Sequence, residues 1–160
     1  MNKQDTARYI QLTEIQPFYY VRFRAQGIHP EHEVYEKMCD WLEAKGYVRD
    51  MSQHHIFGFN HPDAGSNKEE YSYELWLQVN PEELGDTTKK IYYYDGGRYA
   101  VTTTKLMPIN YDNIIHSWPQ LVNWAKNHGY KLGSHQWFEK DLTPFAKDEE
   151  KYLELYLPIE

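Results

Sequence analysis

Apolar and polar positions follow two rhythms along the chain. Phe18-Tyr19-Tyr20-Val21-Arg22-Phe23-Arg24-Ala25 is an extended run of aromatic and β-branched types, and predicts a strand. Over 32–45, Val34, Met38, Trp41 and Leu42 recur at i, i+4, i+7 and i+8, one face of a 3.6-residue period, and Gly46 is a helix stop. Residues 54–59 read as a strand, 62–67 (Pro-Asp-Ala-Gly-Ser-Asn) as a loop by turn chemistry, and 71–79 as a second strand. The same order then returns. Tyr92 to Tyr94 and Tyr99 to Lys105 predict a strand kinked at Gly96-Gly97, and 113–127 a helix with the apolar stripe Ile114, Trp118, Leu121, Val122 and Ala125. Strands follow at 135–141 and 152–159. Pro119 inside the stripe predicts a kink in the first turn or a start near Trp118, since proline is tolerated at the first helical position. Residues 80–90, beginning Asn80-Pro81, read as a linker.

This recurrence is also written in residue identities. Glu74-Leu75-Trp76-Leu77-Gln78-Val79 matches Glu154-Leu155-Tyr156-Leu157-Pro158-Ile159, and Tyr19-Tyr20-Val21 matches Tyr99-Ala100-Val101, with Pro17 opposite Gly97. Between them, Trp41 to Gly46-Tyr47 matches Trp124 to Gly129-Tyr130, and His54-His55-Ile56-Phe57-Gly58 lies opposite His135-Gln136-Trp137-Phe138-Glu139. Four matches in one order argue for a duplication. The expected fold is α+β: tandem β-α-β-β units, about 8–80 and 90–160 of a single domain, with antiparallel sheets and two helices. Either unit alone is too small to bury both faces of its sheet. The simplest arrangement packs the two about a pseudo-two-fold axis, with a central ligand pocket at their junction.

Composition narrows the partners. The 160 residues carry 17 Lys+Arg against 24 Asp+Glu, a net charge of −7, and the linear sequence shows no Lys/Arg cluster. Direct nucleic-acid binding is therefore not expected, because phosphate neutralisation supplies most of that affinity. No apolar run approaches the ~20 residues of a membrane helix, and no signal peptide is visible. Cys39 is the only cysteine, so no intramolecular disulfide can form and the cytoplasm is the expected compartment. With 15 Tyr and 5 Trp against 6 Phe, the aromatic residues suit partly wet surfaces, whether a ligand cavity or a Tyr-rich sheet face.

Glu139 is the first candidate for chemistry. Its counterpart in the first copy is Gly58, so one copy has a carboxylate where the other has no side chain. Strand alternation puts His135, Trp137, Glu139 and Asp141 on one face. A carboxylate among rings attracts a cation through its charge and through the ring quadrupoles. Burial would also raise its pKa, as a general acid or base requires. Glu74 and Glu154 occupy equivalent positions. Leu75, Leu77 and Val79 read as the core face, leaving Glu74, Trp76 and Gln78 on the other. His54, His55, His61 and His135 lack the spacing of a zinc site, so no metal or other cofactor is expected. Neither a nucleophile elbow nor a phosphate loop is present, and Cys39 reads as packing.

Taken in order, Gly96-Gly97-Arg98-Tyr99-Ala100-Val101, the Trp118 to Tyr130 helix, Trp137-Phe138-Glu139 and the closing Glu154 to Ile159 resemble the GyrI-like small-molecule-binding family, also found as the effector-binding domain of AraC-type and MerR-type regulators. The resemblance covers nearly the whole chain. It implies a duplicated β-α-β-β fold, a central pocket for bulky aromatic, often cationic compounds, and a glutamate after the second helix that meets them, here Glu139. Pocket walls would come from Trp137, Tyr73, Tyr99 and Tyr156, with Glu74, Trp76 and Phe57 as further ligand-binding candidates. About 15 residues precede the first predicted strand, too few for a helix-turn-helix. A stand-alone module is therefore expected, and Asp141 departs from the aromatic that many relatives carry at its position.

Three functions follow from this reading. The leading one is a binding protein that sequesters or senses aromatic cations. Its rival is a hydrolase of the family's stand-alone branch, opening cyclopropane rings of DNA-alkylating natural products, with Glu139 and Glu74 as catalytic residues activating water. The third is a protein-interaction partner.

Overall fold

In the computed structural model of the chain, the described residues are 10–46, 55–61, 71–85, 87–105, 112–142 and 152–160. Eight antiparallel strands and three helices run in the order β1 (Gln11–Ile15), β2 (Phe18–Gly27), α1 (Pro30–Ala44), β3 (Ile56–His61), β4 (Tyr71–Val79), α2 (Pro81–Leu84), β5 (Tyr92–Tyr94), β6 (Gly97–Lys105), α3 (Asp112–Asn127), β7 (Phe138–Asp141) and β8 (Tyr152–Ile159). The fold is α+β and the β-α-β-β plan is present twice. The loop expected at 62–67, His54, Tyr47 and the side chains of His61 and Ile114 lie outside the described residues.

The chain forms two compact units. The first runs from Pro17 to Asp95, and the second combines the chain up to Gln16 with Gly96–Glu160. In the first, the strand order is β3-β4-β2-β5, and in the second β1-β6-β8-β7. Strand β1 was not expected from the sequence. It is an edge strand whose residues are exposed except Ile15, so it has no apolar alternation to read. It pairs with β6 from Gln11↔Val101 to Ile15↔Gly97, while β5 pairs with β2 from Phe18↔Tyr94 to Tyr20↔Tyr92. Tyr92–Tyr94 and the strand after Gly97 therefore serve different units, and Gly96, at φ 84°, turns the chain between them.

Each unit buries an aliphatic sheet face under its long helix. In the first, Val21, Phe23 and Ala25 of β2 and Leu75, Leu77 and Val79 of β4 pack with Val34 and Met38 of α1, both fully buried. Each such side chain is worth about 1.5–3 kcal/mol of transfer free energy. Cys39 packs against the same core. In the second, Ala100, Leu153, Leu155, Leu157 and Ile159 pack with Leu121 and Ala125 of α3. Helix α1 starts at Pro30, two residues before the expected start, with proline in its first turn and Glu31 and Glu33 favourable to its N-terminal dipole. Helix α3 begins at Asp112 and carries Pro119 in its interior, not at its start. The expected linker holds a helical turn instead: Asn80 caps it through the Glu82 amide (3.0 Å), and Leu84 joins the first core. Strand β7 is shorter than expected, leaving His135 and Trp137 before it.

Register tests the sequence repeat directly. Gly58 pairs with Leu75 and Phe57 with Trp76; Glu139 pairs with Leu155 and Phe138 with Tyr156. Glu139 and Gly58 are thus structural counterparts. The first strand differs. Val21 pairs with Leu77 and Ala100 with Leu157, so Ala100 is the counterpart of Val21, and Tyr99 that of Tyr20 rather than Tyr19. A slip of one residue exchanges sheet faces. Accordingly Tyr20 and Tyr99 are buried, whereas Tyr19 is 46% exposed. Adjacent tyrosines offered the sequence match two frames, and identity alone chose the wrong one.

Gly58 has no side chain for a packing reason. A Cβ there would lie 2.7 Å from two ring carbons of the buried Tyr73. Gly58→Ala should therefore lower unfolding free energy by about 1–3 kcal/mol in urea titrations. Combining it with Tyr73→Leu should cost less than the sum of the single changes, because the clash is removed with the ring.

Candidate functional site

On the face of the first sheet opposite α1, side chains form a continuous ladder. Tyr20 stacks between Trp76 (ring centroids 4.0 Å apart) and Tyr92 (5.5 Å). Phe59 meets Trp76 edge-on at 5.4 Å, and Phe57 stacks on Phe18 at 5.8 Å. Glu74 continues the ladder. Its side chain is 3% exposed, with Oε1 accepting from Arg24 Nε (3.0 Å) and Nη2 (2.6 Å), and Oε2 from Trp76 Nε1 (2.6 Å). Burying a carboxylate is costly unless its acceptors are filled in this way. Beyond Tyr92, the Arg22 guanidinium lies 4.2 Å over the ring and donates to the phenol oxygen at 2.6 Å.

This face leads into a cleft of about 470 Å³ lined by Arg22, Arg24, Glu74, Lys89, Lys90 and Tyr92, with Thr88 beside them. Four cations meet there against one carboxylate. The linear sequence showed no such cluster, because Arg22 and Arg24 come from one face of β2 and the lysines from the segment before β5. Strand β5 begins at the partner of Tyr20, and among the described residues no strand pairs with the rest of β2 on that side. Lys89 and Lys37 donate to the carbonyls of Arg22 (2.9 Å) and Arg24 (3.2 Å) on this open edge, a common protection of edge strands. Burial, with the charges of Lys37 and Arg22, holds Lys89 below the usual lysine range.

The second unit has the same frame with different chemistry. Glu154 accepts from the Tyr156 hydroxyl at 3.0 Å, as Glu74 does from Trp76, so the repeated Glu-Leu-aromatic triplet makes the same bond between residues two apart on one face. Burial, and then the Glu154 charge and hydrogen bond, push the Tyr156 hydroxyl above its ordinary range, keeping it a donor. Tyr99 is fully buried, donates to the Gln136 carbonyl (3.0 Å), and meets Phe138 and Tyr156 at 5.9 Å each. The His135 ring fills the space over Gly97, where a Cβ would be 3.3 Å away. The counterpart of Gly97 in the first unit is Phe18.

Register decides what lies near Glu139. Glu139 and Asp141 pair with Leu155 and Leu153, so they share the face covered by α3. Trp137 belongs on this side too: it meets Trp118 of α3 at 5.3 Å and is 38% exposed. Tyr99, Tyr156 and Phe138 occupy the opposite face. The expected set is therefore divided. Glu139 and Asp141 face the side of the sheet on which Trp137 meets Trp118, and Tyr99 and Tyr156 face the other. In the first unit, Tyr73 turns to the α1 face and fills the space at Gly58, away from Glu74, Trp76 and Phe57. Phe57 and Tyr99 are enclosed in ring clusters. Glu74, committed to three donors, is poorly placed to activate water. Among the described residues, no three His, Cys, Asp or Glu side chains are grouped to hold a metal, and no helix is long and apolar enough to cross a membrane.

No protein-family model matches the sequence, and no curated protein matches it significantly. Solved structures do match. The chain is similar to a hydrolase from Listeria innocua (TM-score 0.64, 15% identity, covering 96% of this chain and 92% of that one). It is similar to the EcmrR C-terminal domain (0.65, 17%, 94% and 96%). A third match is SAV2435 bound to tetraphenylphosphonium (0.53, 12%, 94% and 93%). At these identities the likeness is one of fold.

Arg24→Met should destabilise the protein by about 1–3 kcal/mol, because it strands the buried Glu74 carboxylate. The double change Arg24→Met/Glu74→Leu should recover most of that loss in thermal and denaturant unfolding.

Proposed function

Given that the chain has the fold of the GyrI-like effector-binding domains, we propose that it is a small-molecule-binding protein whose ligands are bulky aromatic cations held on the α3 face of the second unit. The observation that carries this reading is the placement of two carboxylates, Glu139 and Asp141, on the same face as the Trp118–Trp137 pair. Carboxylates supply counter-charge, while indole faces attract cations through their quadrupoles. Trp137 keeps enough exposed surface to be touched. The cationic cleft of the first unit would repel such a ligand, so it is not part of this site. SAV2435, which shares the fold, is bound to a lipophilic phosphonium, and this supports the ligand class.

Ring-opening hydrolysis would fall to Glu139 without Glu74, whose lone pairs are engaged by Arg24 and Trp76. Binding is therefore the reading the side chains favour.

Titration calorimetry with tetraphenylphosphonium, and with neutral triphenylphosphine oxide as the uncharged comparison, tests the proposal. The cation should bind more tightly. Glu139→Gln should weaken it by about three- to tenfold, the size of a partly exposed charge pair. Trp137→Ala should weaken it by roughly three- to thirtyfold. Equal affinity for the two probes, or an unchanged Glu139→Gln variant, would sink the reading.

A further inference from the structure

The cleft of the first unit has the opposite electrostatics and calls for a different ligand. We propose that the cleft between β2 and the segment before β5 is a second binding site, for small dianionic phosphomonoesters carried on a flat ring. Arg22, Arg24, Lys89 and Lys90 line it with Glu74, whose carboxylate is already paired with Arg24. This cationic surplus is concentrated in a chain whose net charge is −7. Its volume, about 470 Å³, accommodates a small ligand.

Edge protection accounts for part of the cluster. Lys89 and Lys37 each donate to a carbonyl of β2. It does not account for Arg22 and Lys90, whose charges both lie over Tyr92, at 4.2 and 4.9 Å from its centroid. Two cations gathered on one ring repel each other, and an anion between them would relieve that repulsion. Lys89, held below the usual lysine range by burial and by its cationic neighbours, would gain in the same way. The donors suit a phosphate: lysine ammoniums act as compact point charges and guanidiniums as forks, around a group with three acceptor oxygens. The Thr88 hydroxyl offers one more donor type at the wall. Arg22, an exposed side chain whose guanidinium lies over Tyr92, offers its outer face to an attached ring, which favours an aryl ester over the bare ion.

Full-length protein titrated with phenyl phosphate, inorganic phosphate and phenol, followed by amide chemical shifts and calorimetry, tests this. Phenyl phosphate should bind about tenfold more tightly than inorganic phosphate, phenol should not bind measurably, and raising salt to about 0.5 M should weaken binding severalfold. Shifts should centre on Thr88 to Tyr92 and Arg22. Arg22→Gln/Lys90→Gln should reduce affinity about tenfold or more. If that variant melts early, Lys90→Gln alone, at an exposed position, should still weaken binding, while Glu139→Gln should leave it unchanged. Phenyl phosphate that binds no better than phosphate, shifts centred elsewhere, or affinity unaffected by Lys90→Gln would overturn the proposal.

Discussion

Each unit has a four-stranded sheet with two faces and one long helix to cover them. That imbalance governs the rest of the structure. Side chains alternate between faces along every strand, so the face under the helix can be closed with aliphatic residues while the other carries a different set of side chains. The first face follows the ordinary rule of hydrophobic burial. Val21, Leu75 and Leu77 meet Val34 and Met38 in the first unit, and Leu155 and Leu157 meet Leu121 in the second.

The opposite face is built differently. It uses rings with polar tips, which pack like hydrocarbons yet satisfy a hydrogen bond at one end. Trp76 gives its indole N–H to Glu74, and Tyr156 gives its hydroxyl to Glu154. A buried carboxylate in such a setting is costly unless its acceptors are filled, and Arg24 completes the set for Glu74. Ten of the 15 tyrosines stand on the described strands, whereas of the five tryptophans only Trp76 does. Phe57, Tyr99 and Tyr156, which a sequence reader could assign to a pocket, are held in ring clusters on these surfaces.

The two copies share this frame and differ in charge. The first gathers Arg22, Arg24, Lys89 and Lys90 on the helix-free side and around the open edge of β2. The second has Glu139 and Asp141 on the α3 side of its sheet, and the counterpart of Glu139 in the first is Gly58, filled by Tyr73. A duplicated scaffold can diverge in this way because register and core are set by the aliphatic face. The remaining positions are then free to acquire unlike chemistry. Phe18 in one copy and the Gly97–His135 pair in the other show the same freedom within the aromatic clusters.

The sequence by itself determined the duplication, the α+β class, the two long helices and the facing of β4, where Leu75, Leu77 and Val79 point to the core and Glu74 and Trp76 away from it. Those are local signals: periodicity, glycine stops and recurring triplets. Tertiary structure alone decided which tyrosine of β2 corresponds to Tyr99, that β1 and β5 pair as they do, and that Tyr73 faces Gly58. It also decided that Glu139 faces the α3 side of its sheet and not the side of Tyr99 and Tyr156, and that four separated cations line one cleft. The physical reason is register. Alternation fixes that neighbouring residues lie on opposite faces, but only the pairing of distant strands fixes which face meets the helix and which charges become neighbours.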